Sequence, residues 1–366
     1  MRVGIPTEVK NSESRVAATP AGVHELVTAG HQVRVQAGAG IESAFEDAAY
    51  ADAGADVVGT AEEVWPWAEL VLKVKEPEPE EYRYLRADLV LLTYLHLAAD
   101  ASLTRALLDS GVTAIGYETV QLESGALPLL APMSEIAGRL AVQVGANQLM
   151  RPHGGRGQLL GGVPGTPRGN VLVLGGGTAG EQAIRVAIGM QANVTVLDVS
   201  LPRLRVLDER FGNRISTARS SPYVVAEQVR EADLVIGAVL IPGAQAPRLV
   251  TDEMAMTMRP GSVLVDIAID QGGCFEASRP TTHDDPVFRV GQSLYYCVAN
   301  MPGAVPVTAT VALTNVTLPY ALAIADAGWQ QAVAADAALA RGVNVTGGRV
   351  VHRAVAEAHG LVAEEL

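Results

Sequence analysis

The stretch VLVLGGGTAG, residues 171–180, constrains the fold of this chain more than any other. An apolar run with strand character stops in glycine, and a helix-forming stretch follows. Gly175, Gly177 and Gly180 fit G-x-G-x-x-G, with Thr178 and Ala179 inside the turn. In a strand–turn–helix unit the first glycine permits the tight turn. The second lets backbone approach a pyrophosphate, and the third lets the helix pack on the strand. The helix start then offers amides and a partial positive charge to an anion. A second strand-like run, VTVLD, ends in Asp198, 18 residues beyond Gly180, where a ribose-binding carboxylate is expected. An aspartate there accepts from the ribose hydroxyls and repels a 2′-phosphate, so NAD is expected over NADP. Arg203, on the following helix, reads either as softening that preference or as an ordinary surface charge.

This turn opens in the middle of a chain of 366 residues, a length that suits two domains. Before it, RVGIP, QVRVQ, LVLKVK, LVLLTYL and TAIGY read as strands and alternate with helix-like segments. Strands rich in Val and Leu without clean alternation imply burial on both faces, hence a mostly parallel sheet. Thr19 followed by Pro20 marks a helix start, because proline at the first helical position needs no amide donor. Residues 133–150 carry one long helical period that bridges two halves, and the Gly/Pro-rich loop after it leads into the glycine turn. From about residue 303 the pattern turns helical, and no new sheet is expected. The fold class is therefore α/β, two Rossmann-like doubly wound domains with a discontinuous N-terminal substrate domain. The expected division is 1–128 plus 307–366 for the substrate domain and 129–306 for the NAD-binding one. The acidic run EPEPEE, 76–81, reads as a solvated, extended connector.

Composition narrows the function classes. The net charge of −13 disfavours nucleic acid, which demands a basic face. Cys274 and Cys297 form no CxxC pair and no zinc spacing, and two thiols in so long a chain fit a reducing compartment. No metal cluster is expected. The N-terminus has no signal-like core, and the apolar stretch LVIGAVLIPGA, 234–244, is about half a membrane span. A soluble cytoplasmic protein without membrane partner is the expectation.

The first half must then hold the substrate, and ligands of such sheets sit beyond the carboxyl ends of strands. Arg15 falls between the first strand and the first helix, Lys75 closes LVLKVK, and His96 follows LVLLTYL. A guanidinium fork suits a carboxylate, an ammonium suits a carbonyl or carboxylate oxygen, and an imidazole moves protons near neutral pH. Together they suit a 2-amino or 2-oxo acid. Each also has a plainer reading: Arg15 paired with Glu13, Lys75 as an exposed charge, His96 as a structural residue. Asp270, after VLVDIAI, reads either as a group reaching the cleft or as a turn residue before Gly272 and Gly273.

These segments resemble the alanine dehydrogenase/pyridine nucleotide transhydrogenase family over nearly the whole length. The resemblance is carried by GIPTEVK, RVAATPAGV, LVLKVKEP, LLTYLHLA, PMSEIAGRLAVQVGA, GGRGQLLGGVPG, GSVLVDIAIDQGGCFEASRPTTH and YYCVANMPGAVP. It implies NAD-linked, reversible oxidative deamination of L-alanine to pyruvate and ammonia in a homohexamer. It implies Arg15 and Lys75 as substrate ligands and His96 with Asp270 as the catalytic pair. It implies cofactor contacts at Ser134, Asp198, Arg203, Ser220, Val239, Leu240, Ile267, Ala268, Ile269, Asp270, Arg279, Val298, Ala299, Asn300 and Met301. Two rivals are a transhydrogenase-type nucleotide-binding subunit and a non-catalytic NAD-binding regulator. Two stretches depart from the family pattern: GIESAF, 40–45, and VPVTATVALTN, 305–315. Neither includes an expected catalytic position.

Overall fold

The computed structural model describes residues 1–239 and 246–366. Its described strands, in chain order, are β1 (Arg2–Ile5), β2 (Gln32–Gln36), β3 (Asp56–Val58), β4 (Leu70–Leu72), β5 (Val90–Thr93), β6 (Thr113–Gly116), β7 (Asn170–Leu174), β8 (Asn193–Asp198), β9 (Ser216–Arg219), β10 (Leu234–Gly237), β11 (Val263–Asp266), β12 (Val287–Val290), β13 (Ser293–Tyr296), β14 (Val343–Thr346) and β15 (Arg349–Val350). They form two sheets, in two compact units: Met1–Met133 with Gly303–Leu366, and Ser134–Pro302.

In the first unit the sheet runs β15-β14-β6-β5-β4-β1-β2-β3. Strands β1 to β6 are parallel, and the order turns back between β1 and β4. In the second it runs β12-β13-β11-β10-β7-β8-β9, with only β12 antiparallel and the reversal between β7 and β10. Both are doubly wound, and each reversal opens a crevice at the carboxyl ends of the strands.

The strand sequences explain the layering. Along β7, Val171 and Val173 pack into one apolar cluster with Ile184, Leu204 and Leu207. Leu172 and Leu174 point to the other face and join Val225, Val235 and Phe275. Successive side chains alternate faces, so a strand without polar alternation must be covered on both sides. Each buried Val or Leu contributes roughly 1.5–3 kcal/mol relative to exposure. The helix Pro20–Thr28 starts as its sequence requires: Thr19 Oγ1 accepts from the Gly22 amide at 3.2 Å, and Pro20 opens the first turn.

The chain's last segment departs from expectation. It is not purely helical, because β14 joins the first sheet antiparallel to β6 and β15 pairs with β14. Thr113 and Thr346 hydroxyls lie 2.9 Å apart across that junction. A longer apolar segment than 234–244 lies in this part of the chain. Helix Pro306–Ala327 is long and apolar enough to cross a membrane by length and composition. It buries Thr310, Thr314 and Thr317, and Thr310 makes hydrogen bonds inside the first unit.

Candidate functional site

The crest of the first unit gathers three of the expected residues behind three neighbouring strands. Arg15 lies in the loop after β1, Lys75 after β4 and His96 after β5. Arg15 is buried, at 2% exposure, and pairs in a fork with Glu13: Nε to Oε1 at 2.6 Å and Nη2 to Oε2 at 2.5 Å. The plainer reading of Arg15, a pairing with Glu13, is therefore present. It fixes the guanidinium plane and turns Nη1 toward Met133 Sδ, 3.0 Å away. Burial alone would lower the basicity of Arg15, but Glu13 outweighs it and the net shift is upward.

His96 adopts a left-handed backbone, φ 50° and ψ 32°. A non-glycine residue there is strained by about 1–3 kcal/mol and needs local support. Glu118, in the turn after β6, supplies it. Its carboxylate accepts from the Leu95 amide at 3.1 Å and from the His96 amide at 2.7 Å. The imidazole stacks on Tyr94, with ring centres 5.9 Å apart, and its Nδ1 lies 3.3 Å from Glu76 Oε2. Burial would raise the Glu76 carboxyl. The His96 hydrogen bond, the Lys75 charge and the Lys10 partner outweigh burial and hold it far below the ordinary carboxylate range. Glu76 is thus a fixed anion behind the imidazole.

Lys75 is positioned through its backbone. Its amide donates to Glu8 Oε2 at 3.3 Å, and its carbonyl accepts from Thr93 Oγ1 at 2.8 Å. Glu8 also accepts from the Val74 amide and lies 3.1 Å from Lys73 Nζ, which bonds Glu81 at 2.9 Å. Lys73 is fully buried; burial disfavours its charge, yet its two carboxylates raise its basicity overall. Residues 76–81 are therefore not a solvated connector. Glu76 and Glu81 turn inward, because Lys10, His96 and Lys73 are brought to them by the sheet.

The two stretches that depart from the family pattern meet under Arg15. Ser43 Oγ lies 2.8 Å from Thr310 Oγ1 and donates to the Ser14 carbonyl at 2.9 Å. Thr310 Oγ1 accepts from the Val16 amide at 3.1 Å. The backbone on both sides of Arg15 is held by this hydroxyl pair. Sequence reasoning missed it, as it missed Glu8, Glu76, Tyr94 and Glu118. A run of acids among apolar strands, as in EPEPEE, was the available signal.

The second unit presents backbone where the first presents charge. Gly175 has φ +94°, and a Cβ on Gly180 would sit 1.8 Å from the Gly175 carbonyl oxygen. Both positions therefore require glycine for internal reasons. Gly177 differs: a Cβ there would meet no atom of the described residues within 4 Å. Nothing among the described residues calls for glycine at 177, whereas a phosphate approaching the turn would. Gly177 also caps helix Thr178–Gly189, so no cap side chain occupies the first-turn amides. Asp198, at the end of β8, accepts from the Gly176 amide at 2.7 Å and the Ser200 amide at 2.8 Å. A carboxylate has about four lone-pair directions, so acceptor capacity remains for ribose hydroxyls.

The other expected cofactor residues mostly share this edge. Ser220 follows β9 and donates its amide to the Asp198 carbonyl at 2.9 Å. Val239 follows β10, and Ile267, Ala268, Ile269 and Asp270 form a 3₁₀ turn after β11. Asp270 is exposed, ahead of Gly272 with φ 90°. Val298, Ala299, Asn300 and Met301 follow β13, with Asn300 left-handed at φ 59°. Ser134 begins the part of helix Ala131–Gln148 that belongs to this unit. One turn later a Cβ on Gly138 would lie 2.0 Å from the Ala179 carbonyl oxygen, so this helix rides on the glycine turn. Arg279 stands apart in the loop before β12, its guanidinium 4.5 Å over the Phe288 ring. Leu240 lies outside the described residues. Both cysteines are buried, and burial pushes the Cys297 thiol up to about 12.

Residues 4–137 match the family described as alanine dehydrogenase/PNT, N-terminal domain, and residues 141–353 match its C-terminal domain. An alanine dehydrogenase of Mycolicibacterium smegmatis (strain ATCC 700084 / mc(2)155) is 60% identical over 98% of this chain and 96% of its own length. A solved L-alanine dehydrogenase superposes with a TM-score of 0.95 at 50% identity, covering 98% of this chain and 99% of that one. A transhydrogenase structure from Sinorhizobium meliloti gives a TM-score of 0.81 at 28% identity, covering 97% of this chain and 100% of that one.

Proposed function

The chain belongs to the alanine dehydrogenase/PNT family, and on that premise we propose that it catalyses the NAD-linked, reversible oxidative deamination of L-alanine to pyruvate and ammonia. One observation supports this above the rest: a guanidinium, an ammonium and an imidazole follow three adjacent parallel strands of the first unit. That set recognises a carboxylate and moves a proton. The first unit is accordingly the substrate domain and the second the NAD-binding domain.

Gly175, Gly177, Gly180 and the first turn of Thr178–Gly189 would hold the NAD pyrophosphate, and Asp198 the adenine ribose. Ser134, Ser220, Val239, Leu240, Arg279, the 267–270 turn and residues 298–301 complete the contacts. NAD, when bound, supplies the hydride acceptor. Arg15 binds the substrate carboxylate, its guanidinium plane fixed by Glu13. Lys75 binds a second substrate oxygen. Loss of hydride from the Cα of the substrate, bound with its amine neutral, leaves an iminium. Water adds to that carbon, and His96 takes a proton from the water through Nε2. The same imidazolium returns the proton to nitrogen, and as ammonia leaves the imidazole accepts the remaining hydroxyl proton, so that the carbonyl of pyruvate forms. Glu76 accepts from Nδ1 of His96, fixing the tautomer and favouring the imidazolium as it forms. Asp270, the other member of the catalytic pair, would supply a carboxylate that steadies the developing positive charge.

The test is direct. Purified protein with L-alanine and NAD+ should form reduced nicotinamide, and with pyruvate, ammonia and NADH should consume it. The transhydrogenase reading, favoured by the 28% identical structure, predicts no alanine-dependent reduction. A regulator would bind NADH and turn over nothing. We further propose a cytoplasmic homohexamer without nucleic-acid or membrane partners, which sedimentation of the purified protein checks.

A further inference from the structure

We propose that Glu181 is a determinant of cofactor choice, favouring NAD over NADP by holding Arg203 out of reach of a 2′-phosphate. The inference rests on the NAD-linked reading above and deepens it. Glu181 lies in the first turn of the helix after the glycine turn, and its carboxylate is nearly buried, at 9% exposure. Three arginines converge on it. Arg185 bonds Oε1 at 2.7 Å, Arg203 bonds Oε2 at 2.6 Å, and Arg210 bonds Oε1. Burial would raise this carboxyl, but the three hydrogen bonds and the Arg203 charge lower it to about 2. It is therefore an anion throughout the physiological range.

Arg203 stands beside the ribose-binding position. Its Nε donates to the Gly176 carbonyl at 2.5 Å, while the Gly176 amide donates to Asp198 at 2.7 Å. A single residue thus holds the carboxylate expected to meet the ribose hydroxyls and a guanidinium close to it. Arginine near the 2′ position is the ordinary means of accepting a 2′-phosphate. Here that guanidinium is tied to Glu181 and to backbone, so its Nε and Nη2 donors are already engaged. Asp198 repels the 2′-phosphate, and Glu181 withholds the group that would offset the repulsion. The three-to-one excess of arginine means that removal of Glu181 leaves uncompensated positive charge at this corner.

The experiment is fluorescence titration of NADH and NADPH into the purified protein, without substrate, at low and high salt. Wild type should bind NADH well and NADPH weakly. Glu181→Gln should shift the NADPH-to-NADH affinity ratio by about tenfold toward NADPH, with the gain shrinking in salt. Arg203→Met in the Glu181→Gln background should abolish the gain. Glu181→Asp, which keeps the charge but draws it back from Arg203, should move the ratio the same way by less. If Glu181→Gln proves unfolded by circular dichroism, Glu181→Asp decides the matter. An unchanged ratio in a folded variant, or a gain that survives Arg203→Met, overturns the proposal. Wild type that binds neither nucleotide overturns the NAD-linked reading and this inference with it, whereas NADH binding with an unmoved ratio overturns this inference alone.

Discussion

The two units share one topology and use it in opposite ways. Each winds its strands outward from a central pair, β1 and β4 in one, β7 and β10 in the other. In the first unit the crest is built from charge: Arg15 on Glu13, Lys73 between Glu8 and Glu81, Lys10 on Glu76 with His96. In the second the crest is built from backbone, with three glycines, a bare helix start and amides turned onto Asp198. A small zwitterion offers little area, so it must be held by side-chain charges fixed in advance. A dinucleotide offers a long phosphate backbone, which amides grip without any side chain. The sheet order locates a crevice, and the side chains at its rim decide what enters.

Four experiments put that contrast to the test. The largest effect is expected from His96→Ala, which should lower turnover by about 10²–10⁴-fold. NADH affinity should stay near wild type, because the residue belongs to the other crest. A parallel loss of NADH binding would erase the division of labour. Next, Gly177→Ala should weaken NADH binding by about tenfold with a melting temperature near wild type. Gly180→Ala, whose Cβ would strike the Gly175 carbonyl, should instead destabilise the fold by about 1–3 kcal/mol or more. The pair separates a glycine kept for a ligand from one kept for packing.

Thr310→Val tests the charged crest more gently. It leaves the Val16 amide beside Arg15 without its hydroxyl acceptor, a cost of about 1–3 kcal/mol for a buried donor. The KM for L-alanine should rise while the NADH dissociation constant holds. A change in NADH binding alone would detach the Ser43–Thr310 pair from Arg15. The smallest effect concerns pH. Glu181 in the folded state is lowered from 4.5 to about 2, so its ion pairs stabilise the fold fully above about pH 4.5. That contribution is lost as pH falls toward about 2, and Glu181→Gln should flatten the decline of melting temperature over this window. A variant with the wild-type decline would show that its acid sensitivity arises elsewhere.

Much of the fold around the candidate site was legible because its signals are local. The glycine spacing, Thr19–Pro20 and the doubly covered strands depend on residues a few positions apart, and each of these elements formed as its sequence implies. The strands β14 and β15 escaped notice because four residues, VNVT, become a strand only when β6 offers an edge to pair with. The acidic run at 76–81 was misread for a related reason. Whether a glutamate is solvated depends on partners delivered from residues 10, 73 and 96 by the fold.

By itself, then, the sequence determined the two windings, the glycine turn and the kinds of charged group in play, since backbone sterics and burial act within a strand or a helix turn. Tertiary structure alone decided that Glu118 holds His96 in a left-handed backbone, that Glu76 backs its imidazole, and that Ser43 meets Thr310 beneath Arg15. Those contacts join residues 20 to 267 positions apart. Hydrogen bonds and ion pairs act over a few ångströms of space, and only the packed sheet sets which residues share that space.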